Sequence, residues 1–111
     1  GGPNYYPENI AACEKELESI GATQAIMVDC SHANSNKDHT KQGPVLKAVA
    51  EQISAGNKSI RGVMLESNLK PGNQKVVSSQ ELQYGVSITD ACIGWEETEK
   101  LLRDFHTALP S

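Results

Sequence analysis

Three side chains spread along this sequence could together hold a divalent cation: His32, Glu66 and Asp90. One imidazole and two carboxylates suit a borderline metal such as Mn²⁺, Fe²⁺, Co²⁺ or Zn²⁺, and a catalytic site of this kind needs one position left open for water or substrate. His32 and Glu66 each close an apolar run. Ala25-Ile26-Met27-Val28 leads into Asp29-Cys30-Ser31-His32, and Val63-Met64-Leu65 leads into Glu66-Ser67-Asn68. An apolar strand ending in acid, thiol, hydroxyl and imidazole delivers chemistry at its carboxyl end, where ligands bind in parallel α/β proteins. The separation of positions 32 and 66 fits one strand–helix–strand repeat of roughly 30 residues or more. Plainer roles stand beside these: a capped or surface histidine, a solvated loop acid, and for Asp90 the cap of a helix.

The elements that must position these residues follow from periodicity. Pro7 suits a first helical position, and Ile10, Cys13, Leu17 and Ile20 then line one helix face, with Gly21 as the stop. This predicts a helix over Pro7–Ile20. The unbroken apolar run predicts a strand over Ala25–Ser31, covered on both faces. The polar stretch Ser35–Gln42 has no period and reads as a loop, in which Lys37, His39 and Lys41 could meet an anionic substrate or simply be solvated. A second helix is predicted over Pro44–Ala55 with Val45, Leu46, Val49 and Ile53 inward, and a second, parallel strand over Ile60–Ser67. Leu69–Gly85, with Pro71, Gly72 and the pair Ser78-Ser79, is a long loop of the kind that commonly carries function. The last helix, Trp95–Ala108, places Trp95, Leu101, Leu102, Phe105 and Leu109 on its buried side, while His106 stays at the surface. A helix comes first, without the strand that should precede it in a β/α repeat, so the chain reads as a piece of something larger.

Composition sets the bounds. The 111 residues allow one domain of modest size, and 38% hydrophobic with 22% charged residues is the balance of a globular chain. A net charge of −4 argues against a nucleic-acid or anionic-membrane surface. There is no long apolar span and no basic-then-apolar leader pattern. Cys13, Cys30 and Cys92 are odd in number and widely spaced, which fits reduced thiols in a cytoplasmic protein. No glycine-rich phosphate loop, GxSxG elbow, HExxH or paired-cysteine zinc motif occurs.

Three segments carry a resemblance: DCSHANSNK (Asp29–Lys37), GVMLESNLKPGNQ (Gly62–Gln74) and YGVSITDACIGWEETEKLLR (Tyr84–Arg103). They closely resemble the carboxyl-terminal third of class I 3-deoxy-D-arabino-heptulosonate 7-phosphate (DAHP) synthases of the tyrosine- or phenylalanine-sensitive type. The opening Gly2–Tyr5 resembles the segment after that family's sixth barrel strand. The resemblance implies the last two strands and three helices of a (β/α)8 barrel, with residues 1–111 as one incomplete domain. It implies an enzyme that condenses phosphoenolpyruvate with erythrose 4-phosphate and water to DAHP plus phosphate, the first step of the shikimate pathway toward the aromatic amino acids. It further implies an essential divalent metal held by a cysteine, a histidine, a glutamate and an aspartate. The last three fall on His32, Glu66 and Asp90, with His32 and Asp90 as catalytic residues and Asp90 also near the aldose hydroxyls. The metal acts on the aldehyde as a Lewis acid while C3 of phosphoenolpyruvate attacks.

The family's metal-binding cysteine and both its phosphate-binding regions lie outside this sequence, and none of the three cysteines here takes that ligand's place. Two readings therefore stand: the tail of a working synthase, inactive alone and homo-oligomeric when whole, or a non-catalytic barrel fragment that self-associates over its bare strand edges.

Overall fold

The computed structural model describes residues 1–78 and 81–110, so Ser79 of the serine pair lies outside the described residues. Helix α1 spans Pro7–Ser19, strand β1 Ile26–Asp29, helix α2 Gln42–Ser54, strand β2 Ile60–Met64 and helix α3 Trp95–Ala108. Each boundary has a local cause. Pro7 begins α1 where its missing N–H costs nothing. Gly21 ends it in the left-handed region at φ 71°, its N–H donating to Glu18 O at 3.0 Å while Ala22 N–H reaches Leu17 O at 2.9 Å. At the head of β2, the Asn57 side-chain oxygen accepts from both Ser59 N–H and Ile60 N–H at 2.9 Å, which fixes where the strand begins.

β1 and β2 are adjacent and parallel, as predicted, with Val28 opposite Val63 and Asp29 opposite Met64. Parallel pairing requires a crossover, and α2 supplies it. The core lies between the strands and the helices. Ile10, Val28, Val49 and Ile60 form one buried cluster, and Cys30, Val45 and Leu46 form another that Leu101 and Phe105 cover. The result is a small α/β piece whose two strands end on the same side.

Several expectations need correction. Both strands are shorter than Ala25–Ser31 and Ile60–Ser67. One further ladder bond, Cys30 N–H to Met64 O at 2.9 Å, extends β1, and then His32 enters the left-handed region at φ 50° and breaks the strand. The polar stretch after it is not a plain loop: His32–Ser35 and His39–Lys41 are short 3₁₀ helices, and α2 starts at Gln42, two residues before Pro44. Nor is β1 covered on both faces, because Met27 is 70% exposed on the side where Gly62 offers no side chain. Ile20, Trp95 and Leu102 are exposed as well. The inward stripe of α3 is Thr98, Leu101, Phe105 and Leu109, and Leu102 points away from it by one residue's rotation.

The sequence also hides a third strand-like segment. Ile93 N–H donates to Glu66 O at 3.0 Å and Asn68 N–H to Ile93 O at 2.9 Å, so Ile93 runs parallel to the continuation of β2. Cys92 and Gly72 exchange both backbone bonds, at 2.8 and 3.1 Å. The long loop is therefore stitched to the sheet at its two ends.

Leu46, 2% exposed, and Leu102, 45% exposed, test this packing. Leu46→Ala should cost about 2–5 kcal/mol and Leu102→Ala under about 0.5 kcal/mol, read from urea unfolding midpoints of the protein that carries this chain.

Candidate metal centre

At the carboxyl ends of β1 and β2 the three predicted residues meet. His32, Glu66 and Asp90 each offer one ligand atom, and all three atoms lie within 4.8 Å of one another. His32 Nε2 is 3.6 Å from Glu66 Oε2 and 3.6 Å from Asp90 Oδ2. Donors held at ~2.0–2.2 Å from one centre stand roughly 3–4 Å apart, so the spacing fits a shared ion.

Each side chain is positioned differently. The left-handed turn at His32 swings its ring back over Asp29, whose Oδ2 lies 2.8 Å from Nδ1. An ionised carboxylate only accepts, so Nδ1 carries the proton and Nε2 is the atom aimed at Glu66 and Asp90. Asp29 Oδ1 accepts Ser31 N–H at 2.8 Å, which locks the carboxylate in turn. Ser31 Oγ donates to Glu66 Oε1, leaving Oε2 toward His32. Asp90, with its side chain 67% exposed, is held through its backbone instead. Cys92 Sγ donates to Asp90 O at 3.5 Å, and Asn73 Nδ2 donates to Thr89 O at 3.0 Å. It caps no helix: the cap of α3 is Gly94.

The electrostatics call for a cation. With Nδ1–H committed to Asp29, the Nε2 lone pair faces two carboxylates unless a proton or a metal occupies the space between. The His32 pKa lies above its ordinary 6.5, first through the hydrogen bond to Asp29, then through the charges of Asp29, Glu66 and Asp90. The chemistry of the donor set and its spacing both fit a divalent ion.

A cavity of about 440 Å³ opens over the trio, and Lys37 and His39 also line it. Of the three residues that the sequence offered either to an anionic substrate or to solvent, these two line the cavity and Lys41 is not among the lining residues. The cysteines stay out of the donor set. Cys30 is fully buried, and burial, then the Asp29 charge, pushes its thiol up to about 12. The Cys92 thiol is also raised, chiefly by burial.

Gln42 was not singled out from the sequence, and Asp29 and Ser31 were read only as part of the polar strand end, without the positioning roles they have here. Asp29 is three residues before His32, and a carboxylate that near a histidine ligand is a signal for a partner to the far ring nitrogen. Gln42 continues the inward stripe of α2 through Leu46 and Val49, a signal that a polar residue there is buried.

Known proteins resemble this chain along nearly its whole length. The model of the DAHP synthetase I family matches residues 1–103. The Tyr-sensitive phospho-2-dehydro-3-deoxyheptonate aldolase of Escherichia coli is 53% identical over 108 residues, which is 96% of this chain and 30% of that protein. A Tyr-sensitive enzyme of the same name from Enterobacter agglomerans is also 53% identical over 96% of the chain, here 51% of its length. The solved structure of the Francisella tularensis phospho-2-dehydro-3-deoxyheptonate aldolase superposes with a TM-score of 0.91 at 44% identity, covering 97% of this chain and 31% of the other. The chain thus spans about a third to a half of the relatives it matches.

The raised His32 pKa has a direction that can be read. In metal-free protein the NMR titration midpoint of His32 should lie above 6.5, and Asp29→Asn should move it back toward that value. A raised histidine contributes stability that is fully present below 6.5 and is lost as pH climbs through the folded midpoint. Mn²⁺ must displace the Nε2 proton, so its affinity should rise with pH across the same window and level off above it.

Proposed function

The chain belongs to the DAHP synthetase I family, and on that premise we propose that it forms part of a metal-dependent DAHP synthase in which His32, Glu66 and Asp90 are three of the metal ligands. The assembled enzyme would condense phosphoenolpyruvate with erythrose 4-phosphate and water to DAHP plus phosphate, and this chain alone would not. The observation that carries the reading is the approach of His32 Nε2 to both carboxylates at 3.6 Å. The names of the relatives support the reaction, and the share of their length spanned here supports a part rather than the whole.

Residues 1–111 are read as one incomplete (β/α)8 barrel domain. Support comes from the parallel pair β1–β2 with α2 between them, and from the gathering of polar residues at the strands' carboxyl ends. Met27, bare on the face away from the helices, is where further barrel strands or a second copy would pack. Three unpaired cysteines favour a reducing, cytoplasmic setting, and a homo-oligomeric enzyme remains part of the proposal.

When bound, Mn²⁺, Fe²⁺, Co²⁺ or Zn²⁺ would supply Lewis-acid polarisation of the sugar aldehyde. The residues of this chain do the positioning. Asp29 fixes the His32 ring so that Nε2 faces the ion site. Ser31 holds one Glu66 oxygen and directs the other inward. Asp90 lines the cavity, where its carboxylate can also accept from aldose hydroxyls, and Lys37 and His39, lining the same cavity, offer donors to anionic groups.

In the full-length protein, His32→Ala, Glu66→Ala and Asp90→Ala should each abolish Mn²⁺-dependent phosphate release from the two substrates while the far-ultraviolet circular dichroism stays unchanged. A variant that keeps near-wild-type turnover under chelated, metal-limited conditions removes that residue from the ligand set. This chain purified by itself should release no phosphate above background, since it lacks the means to position two anionic substrates.

A further inference from the structure

Gln42 is the one amide-bearing side chain among the described residues that is completely buried, at 0% exposure. A primary amide in an apolar core is costly unless its donor and acceptor are both met. Here both are met by a single residue. Gln42 Oε1 accepts Glu66 N–H at 2.7 Å, and Gln42 Nε2 donates to Glu66 O at 3.0 Å. One residue that satisfies both backbone groups of another is the bonding of an antiparallel strand pair, reproduced by a side chain. It falls where β2 has ended at Met64 and β1 no longer reaches. On the other side of the same peptide, Ile93 N–H donates to Glu66 O at 3.0 Å.

We infer that Gln42 is a positioning residue for the metal site: its amide clamps the Glu66 backbone and so fixes where the Glu66 carboxylate stands. The inference rests on Glu66 being a ligand. The geometry is specific to that residue. The Gln42 side chain comes from the first residue of α2, directly after the 3₁₀ turn His39–Lys41, so it ties the helix that crosses between the strands to the backbone unit that carries Glu66. His32 has its own clamp in Asp29 and shares nothing with Gln42. Loss of the amide leaves the Glu66 N–H without that acceptor and frees the carboxylate to leave the His32 side. Partners that orient metal ligands typically contribute 10–100-fold in metal affinity, here ~10–100-fold for Gln42.

The test is a double-mutant cycle in the full-length protein, with Mn²⁺ binding followed by the electron paramagnetic resonance of the free ion. Gln42→Met, which keeps volume and removes the amide, should weaken Mn²⁺ binding by ~10–100-fold. In a Glu66→Ala background the same change should shift affinity by less than ~3-fold, because the ligand it acts through is gone. An equal loss in both backgrounds would mean a general effect on the fold and would overturn the inference, as would wild-type affinity in Gln42→Met. Should Gln42→Met unfold, Gln42→Glu replaces it. That variant keeps the shape and the acceptor and, read at a pH where the introduced carboxyl is ionised, cannot donate to Glu66 O; its loss should likewise vanish in the Glu66→Ala background. If Glu66→Ala alone binds Mn²⁺ like the wild type, the ligand assignment itself fails and takes this inference with it. That result is distinct from a Glu66→Ala that weakens binding beside a Gln42→Met that does not, which overturns only the role of Gln42.

Discussion

Two carboxylates pointed at one place repel each other, and most of the local structure around this site opposes that repulsion. Glu66 and Asp90 carry like charge within 4.8 Å, a separation at which two unit charges repel by about 1 kcal/mol in water and about 3.5 kcal/mol at an effective dielectric of ~20. His32 Nε2 stands 3.6 Å from each and offsets the repulsion only while it carries a proton or a metal. Left to itself such a cluster would open. It holds because separate devices hold each member: the Asp29 carboxylate on the far ring nitrogen, the Ser31 hydroxyl with the buried Gln42 amide on Glu66, and the Gly72–Cys92 and Asn73–Thr89 bonds behind Asp90. A cluster restrained in this way against its own charge has the donors and spacing that could hold a cation.

The devices depend on a simpler fact, the parallel register of β1 and β2. Asp29 stands opposite Met64, so the next residues of both strands emerge at one end and at one height. A slip of one residue would turn every side chain to the other face. The packing prevents it: Val28 fits the cluster of Ile10, Val49 and Ile60, and Cys30 fits the cluster of Val45 and Leu46. The buried Cys30 thiol is thus a packing group directly between Asp29 and Ser31, and the alternation it enforces leaves those two neighbours pointing toward the site. Core and chemistry share one strand by taking alternate residues.

That division explains what the sequence made legible. Apolar runs ending in polar ligands gave the parallel pair and the convergence of His32 with Glu66, because strand direction and spacing are local properties. Asp90 was identified by its polarity among small neighbours and by the resemblance of the segment around it, but its place beside His32 comes from backbone bonds across the long loop, which no local pattern records. Strand ends were misjudged for the same reason. Nothing in Cys30-Ser31-His32 announces a left-handed histidine, a conformation uncommon for residues with a Cβ and sustained here by the Asp29 bond and the 3₁₀ turn. Met27 misled in the opposite way: an apolar residue in an apolar run reads as buried, yet burial also needs something on its other side.

The three candidate ligands are held with decreasing rigidity, and the order follows from where their restraints attach. Glu66 is fixed at backbone and side chain together, by Gln42, Ile93 and Ser31, and only 21% of its side chain is exposed. Removing a buried partner such as Gln42 would cost ~1–3 kcal/mol for the unmet backbone group alone. His32 is fixed at one ring nitrogen and one strained turn, with about half its side chain exposed. Asp90 is fixed only through its backbone, and its carboxylate makes no hydrogen bond among the described residues beyond the approach to His32. The firmest of the three is therefore the least exposed, beside the strands, and the freest is the most exposed. A carboxylate with that freedom can adjust to whatever occupies the open side of the site, while Glu66 and His32 stay referred to the sheet.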